Sequence, residues 1–406
     1  MKNKKLFWLY ILSASIYATQ GFEGLPGLSL FFYLKEHLHF TPQKIMYISS
    51  IITIPWLIKP LFGYFIDQYF SKKIWITLSL IGSIAISLFF GLSPLLTLPL
   101  ILIAATLGNY FTATRDISND GLACCEGKKN NTCDIFQNVQ WTSITVAGII
   151  TSLFGGIIAD HFNYKFAYLC LIPIYFIILW IVSKYKQDLI TDFRISKGTA
   201  RWTSNFTKPE KIKFIILLQS ILSYKELFKN KQFLLGCLFI FLFNFSPSFG
   251  TPLLFIERDL FHWSGIFLGI IGALSAGISI IGSIIYYKFS KKLNIKKILY
   301  WSVFLGALTT LAYLYFTPIS AIIYTCLFSI IGMFIFLNIM TLMAKSSIEN
   351  KESTSFALLC SISNLAGTCS ILIGAWLFPL LGLKFLIVIS AATTFLCLPI
   401  LKKLKI

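Results

Sequence analysis

The sequence predicts an all-α integral membrane protein of about twelve transmembrane helices, arranged as two six-helix halves with both termini in the cytoplasm. Three observations carry that prediction. Of the 406 residues, 56% are hydrophobic and only 13% are charged, and the mean hydropathy of +0.77 lies far above that of water-soluble domains. The apolar residues gather in runs of roughly 20, the length that crosses the hydrocarbon core as a helix. Lys and Arg concentrate on one side of those runs once the sides are alternated.

In the first half, residues 1-183, the apolar runs are Leu6 to Leu34, Ile45 to Ile66, Ile74 to Leu92, Leu95 to Thr114, Phe136 to Ala159 and Tyr164 to Ser183. In the second, residues 232-406, they are Gln232 to Ile256, Ser264 to Tyr287, Ile298 to Phe316, Ile319 to Ala344, Ser355 to Phe378 and Leu383 to Leu401. Between them, residues 184-231 form a basic cytoplasmic linker. Its apolar patch, Phe214 to Leu222, suits an amphipathic helix lying on an anionic leaflet.

The formal net charge of +19 would suit a nucleic-acid partner in a soluble protein, but position decides otherwise. With the N-terminus in the cytoplasm, only Lys35, Lys44, Lys165, Arg258 and Lys384 fall outside, Lys59 falls within a span, and the rest are cytoplasmic. The expected partners are therefore membrane lipids, a small solute and protons, with no nucleic acid, and the protein is expected to act as a monomer. The N-terminal apolar run continues past Phe31 with no small-residue cleavage site, so it reads as a span that is retained.

Catalysis and cofactors find little support. Most of the nine cysteines lie in apolar runs and read as small hydrophobes; Cys124, Cys125 and Cys133 share a loop, but their spacing fits no zinc pattern. No metal, cofactor or catalytic residue is expected. A Walker-type glycine loop is lacking, which argues against a primary pump.

A short internal match supports duplication. The second span ends in Gly63-Tyr-Phe-Ile-Asp67-Gln-Tyr-Phe70-Ser71-Lys72-Lys73, and the eighth in Gly282-Ser-Ile-Ile-Tyr286-Tyr-Lys-Phe289-Ser290-Lys291-Lys292. Both copies follow the second span of their half, as a parallel repeat requires.

Ionised groups are costly in hydrocarbon, so the few that fall inside spans are candidates for function. Glu23 lies in Gly21-Phe-Glu-Gly24-Leu-Pro26-Gly27, where glycine and proline loosen the first span; it either meets water at the outer mouth or belongs to the pathway. Lys59 stands about 14 residues, roughly 21 Å, into its span. It needs a carboxylate partner such as Asp116, or an anionic substrate, unless it snorkels to the interface. Asp116 and Asp120 close the fourth span one helical turn apart and share a face. Two anions so placed repel, which favours a proton on one of them; the alternative is a structural salt-bridge lock of Arg115 with Asp67. Gln20, Asn109, Gln137, Asn244, Asn338 and Asn364 supply neutral hydrogen-bonding groups, some of which will only join helices. Trp56 and Trp141 lie further in than the tryptophans near span ends and are placed to face a cavity.

Several strings together resemble the folate-biopterin transporter family, a branch of the major-facilitator superfamily. They are Pro55-Trp56-Leu-Ile-Lys59-Pro60-Leu-Phe-Gly63 with Asp67, the Asp116 and Asp120 pair with Leu122 and Glu126, Gln137 four before Trp141, and Glu352-Ser-Thr-Ser-Phe356-Ala-Leu-Leu-Cys-Ser361-Ile-Ser-Asn364. The chain departs from the family's pattern in the spacing of Glu126 and in Arg115 before the acidic pair. The resemblance implies a major-facilitator fold and secondary active, proton-coupled uptake (symport) of folate or a related pterin by alternating access. A permease for S-adenosylmethionine, a muropeptide or a similar solute is the alternative, and a non-transporting membrane receptor a more distant one. Compactness suggests a bacterial inner membrane over a parasite plasma membrane.

Overall fold

Hydrocarbon offers no water to bond a bare backbone, so each apolar run must close its hydrogen bonds within itself and folds as a helix. The computed structural model describes residues 2–59, 62–63, 66, 70–94, 96–130, 132–185, 229–290, 294–346 and 352–404. Asp67, most of the linker with its Phe214 to Leu222 patch, and much of the first repeat copy lie outside the described residues.

The first segment holds α1 (Lys2–Phe22), α2 (Gly27–Phe32) with a π-helical turn (Tyr33–His37), α3 (Pro42–Ile52), α4 (Ile54–Leu57), α5 (Lys72–Leu92), α6 (Leu98–Asn130), α7 (Cys133–His161) and α8 (Tyr164–Lys184). The second holds α9 (Lys231–Asn244), α10 (Gly250–Asp259), α11 (Gly265–Ser290), α12 (Ile295–Ala312), α13 (Pro318–Ser346), α14 (Glu352–Phe395) and α15 (Cys397–Lys403). Among the described residues, seven helices are long and apolar enough to cross a membrane. Side-chain caps set where several begin: Asn163 accepts from the amide of Phe166 at 3.1 Å, Asn230 from Gln232 at 2.9 Å, and Asn294 from Lys296 at 2.8 Å.

Two departures from the apolar runs matter for the site. The fourth run stops at Thr114 because charged residues follow, yet α6 continues without a break to Asn130. Helical hydrogen bonding does not depend on side-chain polarity, and other helices supply partners for Arg115, Asp116 and Asp120. The first and seventh runs, in contrast, are each broken. In the first the chain leaves the helix after Phe22, and Gly155 of α7 packs where a Cβ would stand 3.1 Å from the Leu25 carbonyl oxygen. In the seventh, at Phe245 to Phe249, the freed Ser248 amide donates to the Ser370 carbonyl at 3.0 Å and Ser370 Oγ donates to the Ser246 carbonyl, both across to α14. Each break is thus covered by a neighbouring helix, at matching places in the two segments. Gly382 separates the last two expected spans within α14, with φ of 73° where a side chain would be strained.

The buried apolar residues form three clusters. One is built only from the first segment and includes Leu9, Leu122, Val182 and Tyr185. Another is built only from the second and includes Phe233, Ile295, Leu359 and Leu404. The first runs along most of its segment, from Leu9 to Leu25, Ile158 and Ala167 near the far end. The third, at the far end, joins Phe31, Leu34, Ile45 and Tyr164 to Trp263, Leu268 and Ala321, so the two segments share this core.

Candidate functional site

A polar stripe runs down one face of α6 as Asn109, Thr112, Asp116 and Asp120, spaced three or four residues apart so that they stand one above another. Opposite it, α1 presents Ser13, Tyr17 and Gln20 with the same spacing, followed by Glu23 at the break. Two clusters form where these stripes meet.

In the first cluster the guanidinium of Arg115, fully buried, pairs with Glu23. Arg115 Nη1 also donates to Ser83 Oγ at 3.1 Å, and the guanidinium lies 5.9 Å from the centre of the Tyr175 ring. The Glu23 carboxylate accepts two further bonds, from Thr112 Oγ1 at 2.8 Å and from the Tyr175 hydroxyl at 3.0 Å. A buried ion pair in a low dielectric is favoured when its remaining polar atoms are also bonded; this carboxylate is held by three groups, whereas Arg115 Nε is buried with no partner among the described residues. Glu23 therefore meets a protein cation, and the partner of Arg115 is Glu23; the expected Asp67 lies outside the described residues.

The second cluster stands one turn along α6. Lys59 pairs with Asp116, whose other oxygen accepts from Gln20 Nε2 at 2.6 Å. Asp120 accepts from the Tyr17 hydroxyl at 2.9 Å and from Gln140 Nε2 at 3.4 Å. Lys59 Nζ also lies 4.7 Å from the centre of the Trp56 ring, whose Nε1 donates to Asn109 Oδ1 at 2.8 Å. Five expected residues, Gln20, Trp56, Lys59, Asn109 and Asp116, are thus linked in one network, and the sixth, Asp120, stands beside it one helical turn along α6.

Trp141 sits beside that network, 43% exposed, with its ring edge-on to Tyr17 at 6.4 Å and to Phe336 of the second segment at 5.3 Å. Cys360 of α14 is within electrostatic reach of Lys59, Asp116 and Asp120. The second segment's amides do not join the network. Asn244 Nδ2 donates to the Ile240 carbonyl of its own helix at 2.8 Å, Asn338 Nδ2 donates to Ser302 Oγ at 3.3 Å in a buried position, and Asn364 is exposed. The side chain of Gln137 lies outside the described residues, whereas Gln140, one turn along α7, touches Asp120. Tyr17, Gln140, Ser83, Thr112 and Tyr175 went unsingled in the sequence. The polar stripe at three- and four-residue spacing on α1 and α6 was the signal that would have found Tyr17 and Thr112.

The BT1 family model matches residues 20–402 of the chain. A folate-biopterin transporter of Synechocystis is 26% identical over an alignment spanning 97% of this chain and 81% of that protein. Folate transporter 1 of Plasmodium falciparum is 26% identical, covering 91% and 72%. Among solved structures, a D-xylose-proton symporter superposes with a TM-score of 0.74 at 10% identity, covering 97% of both chains. A nucleoside transporter does so with 0.73 at 14% identity, covering 99% of both. At such identities the structural likeness establishes the fold: that of major-facilitator transporters.

Proposed function

The chain belongs to the BT1 family of multi-pass membrane transporters, and from that premise we propose that it takes up folate or a related pterin in symport with protons. The observation that carries the reading is Lys59, a cation held between Asp116 and the face of Trp56 in an otherwise uncharged run from Ile45 to Ile66. An anionic tail, such as the glutamate of a folate, can exchange for Asp116 as the partner of Lys59, while Trp56 and Trp141 offer flat faces to a heterocycle. The Asp116 and Asp120 pair carries the coupled proton, because two carboxylates one helical turn apart disfavour leaving both charged. Substrate and proton thus compete for partners within one network, which couples their movements.

On this reading residues 1-183 and 232-406 are two six-helix bodies that rock about the network, tethered by residues 184-231 on the cytoplasmic side. A thermal-shift screen of purified protein against folates, biopterin, S-adenosylmethionine and flavins tests the solute, because a bound ligand stabilises the folded state by mass action. Folate or biopterin is expected to raise the midpoint. A shift only with S-adenosylmethionine reassigns the substrate. Lys59→Met is expected to weaken binding of an anionic pterin at least about tenfold, roughly 1.4 kcal/mol, in a chain that still folds. Unchanged affinity removes Lys59 from the site.

A further inference from the structure

The far end of the molecule holds the two segments together through contacts that the transport reading leaves unused. There the π-helical turn presents Lys35 and Glu36, and the last turn of α10 presents Arg258 and Asp259. They pair crosswise: Lys35 with Asp259, and Arg258 Nε donating to Glu36 at 2.8 Å. Each cation also lies against a ring of the opposite segment, Lys35 at 5.2 Å from the centre of Phe255 and Arg258 at 4.1 Å from that of Phe32. Each side therefore contributes one cation, one anion and one ring.

A third tie is of a different kind. Asp160, in the last turn of α7, reaches across to the first turn of α11, where its two oxygens accept from the amides of Gly265 and Ile266, each at 2.7 Å. First-turn amides have no partner within their own helix, and the dipole there favours an anion. Asp160 thus caps a helix of the other segment. The cap fits because α7 and α11 meet backbone to backbone: a Cβ on Gly156 would stand 2.5 Å from the Gly265 carbonyl oxygen, and one on Gly269 would stand 2.3 Å from that of Ser152.

We propose that Asp160 and the two crossed ion pairs form a latch that holds the far end shut, and that their release sets how often the segments part there. The ion pairs act over roughly 8 Å at physiological salt and guide the approach. The Asp160 bonds are short and directional, so they engage only at full closure and select the closed state from nearly closed ones. The inference does not depend on which solute is carried.

The test uses the full chain in lipid nanodiscs, with native cysteines replaced by serine or alanine and nitroxides at Phe162→Cys and Tyr315→Cys, exposed far-end positions on opposite segments. Pulsed dipolar spectroscopy then reports the ratio of long to short distances. Asp160→Ala is expected to raise that ratio about fivefold or more, with Asp160→Asn, which keeps one acceptor oxygen, falling between. Lys35→Glu is expected to do the same, and adding Asp259→Lys is expected to restore the short distance. An unchanged distribution in a folded Asp160→Ala chain overturns the latch. Should that variant yield no folded protein, the surface pair decides: Lys35→Glu without effect, or not reversed by Asp259→Lys, overturns it equally.

Discussion

Arg115 and Glu23 look like two transport residues in the sequence and behave as one structural unit in the fold. Their charges are taken out of water together, and removing one strands the other. Glu23→Gln is expected to cost ~3 kcal/mol or more, seen as a lower unfolding midpoint in detergent, because Arg115 is fully buried. Replacing both residues, Glu23→Leu with Arg115→Met, is expected to recover most of that loss, since no unpaired charge remains. The acids of the neighbouring cluster have the opposite signature. Asp116→Asn and Asp120→Asn are each expected to abolish accumulation against a gradient while substrate exchange persists, because exchange needs no net proton release. If both variants still drive uphill uptake with the original pH dependence, the pair is structural.

At the scale of the helix, polarity misleads about where elements end, whereas glycine and proline inform. The apolar signal stopped at Thr114 although α6 runs on to Asn130, because hydropathy records a side chain's solvent and not the backbone's hydrogen bonds. The Gly21-Phe-Glu-Gly24-Leu-Pro26-Gly27 string did mark the break after α1, and Gly382 marks the turn between the last two spans. With φ at 73°, Gly382→Ala is expected to cost about 1 kcal/mol. Thermal unfolding of the variant in the same detergent measures it, and an unchanged midpoint would mean that the turn adjusts freely. Cap residues such as Asn163 and Asn230 lie at run boundaries and were readable in the same way.

For the whole molecule, the distribution of buried apolar residues separates what moves from what holds. Each segment has a core built only from its own helices, and the two share another at the far end, so parting at the opposite end leaves each segment's own core intact. Placing the termini in the cytoplasm rests on the distribution of Lys and Arg. Lys197→Cys is therefore expected to resist a membrane-impermeant maleimide added to intact cells and to react after permeabilisation. Labelling in intact cells would reverse the orientation.

The membrane class, the runs that become helices and the candidate residues Lys59, Asp116 and Asp120 follow from the sequence alone, because solvent preference and helical periodicity are local properties that a linear pattern records. The identity of each charge's partner does not. Lys59 is bound to meet some anion, yet that this is Asp116, that Arg115 takes Glu23, and that Asp160 caps a helix more than a hundred residues away are decided only when α1, α6, α7 and α11 pack together. Pairing energy depends steeply on distance, and distances between separate helices are set by packing across the whole chain rather than by spacing within it.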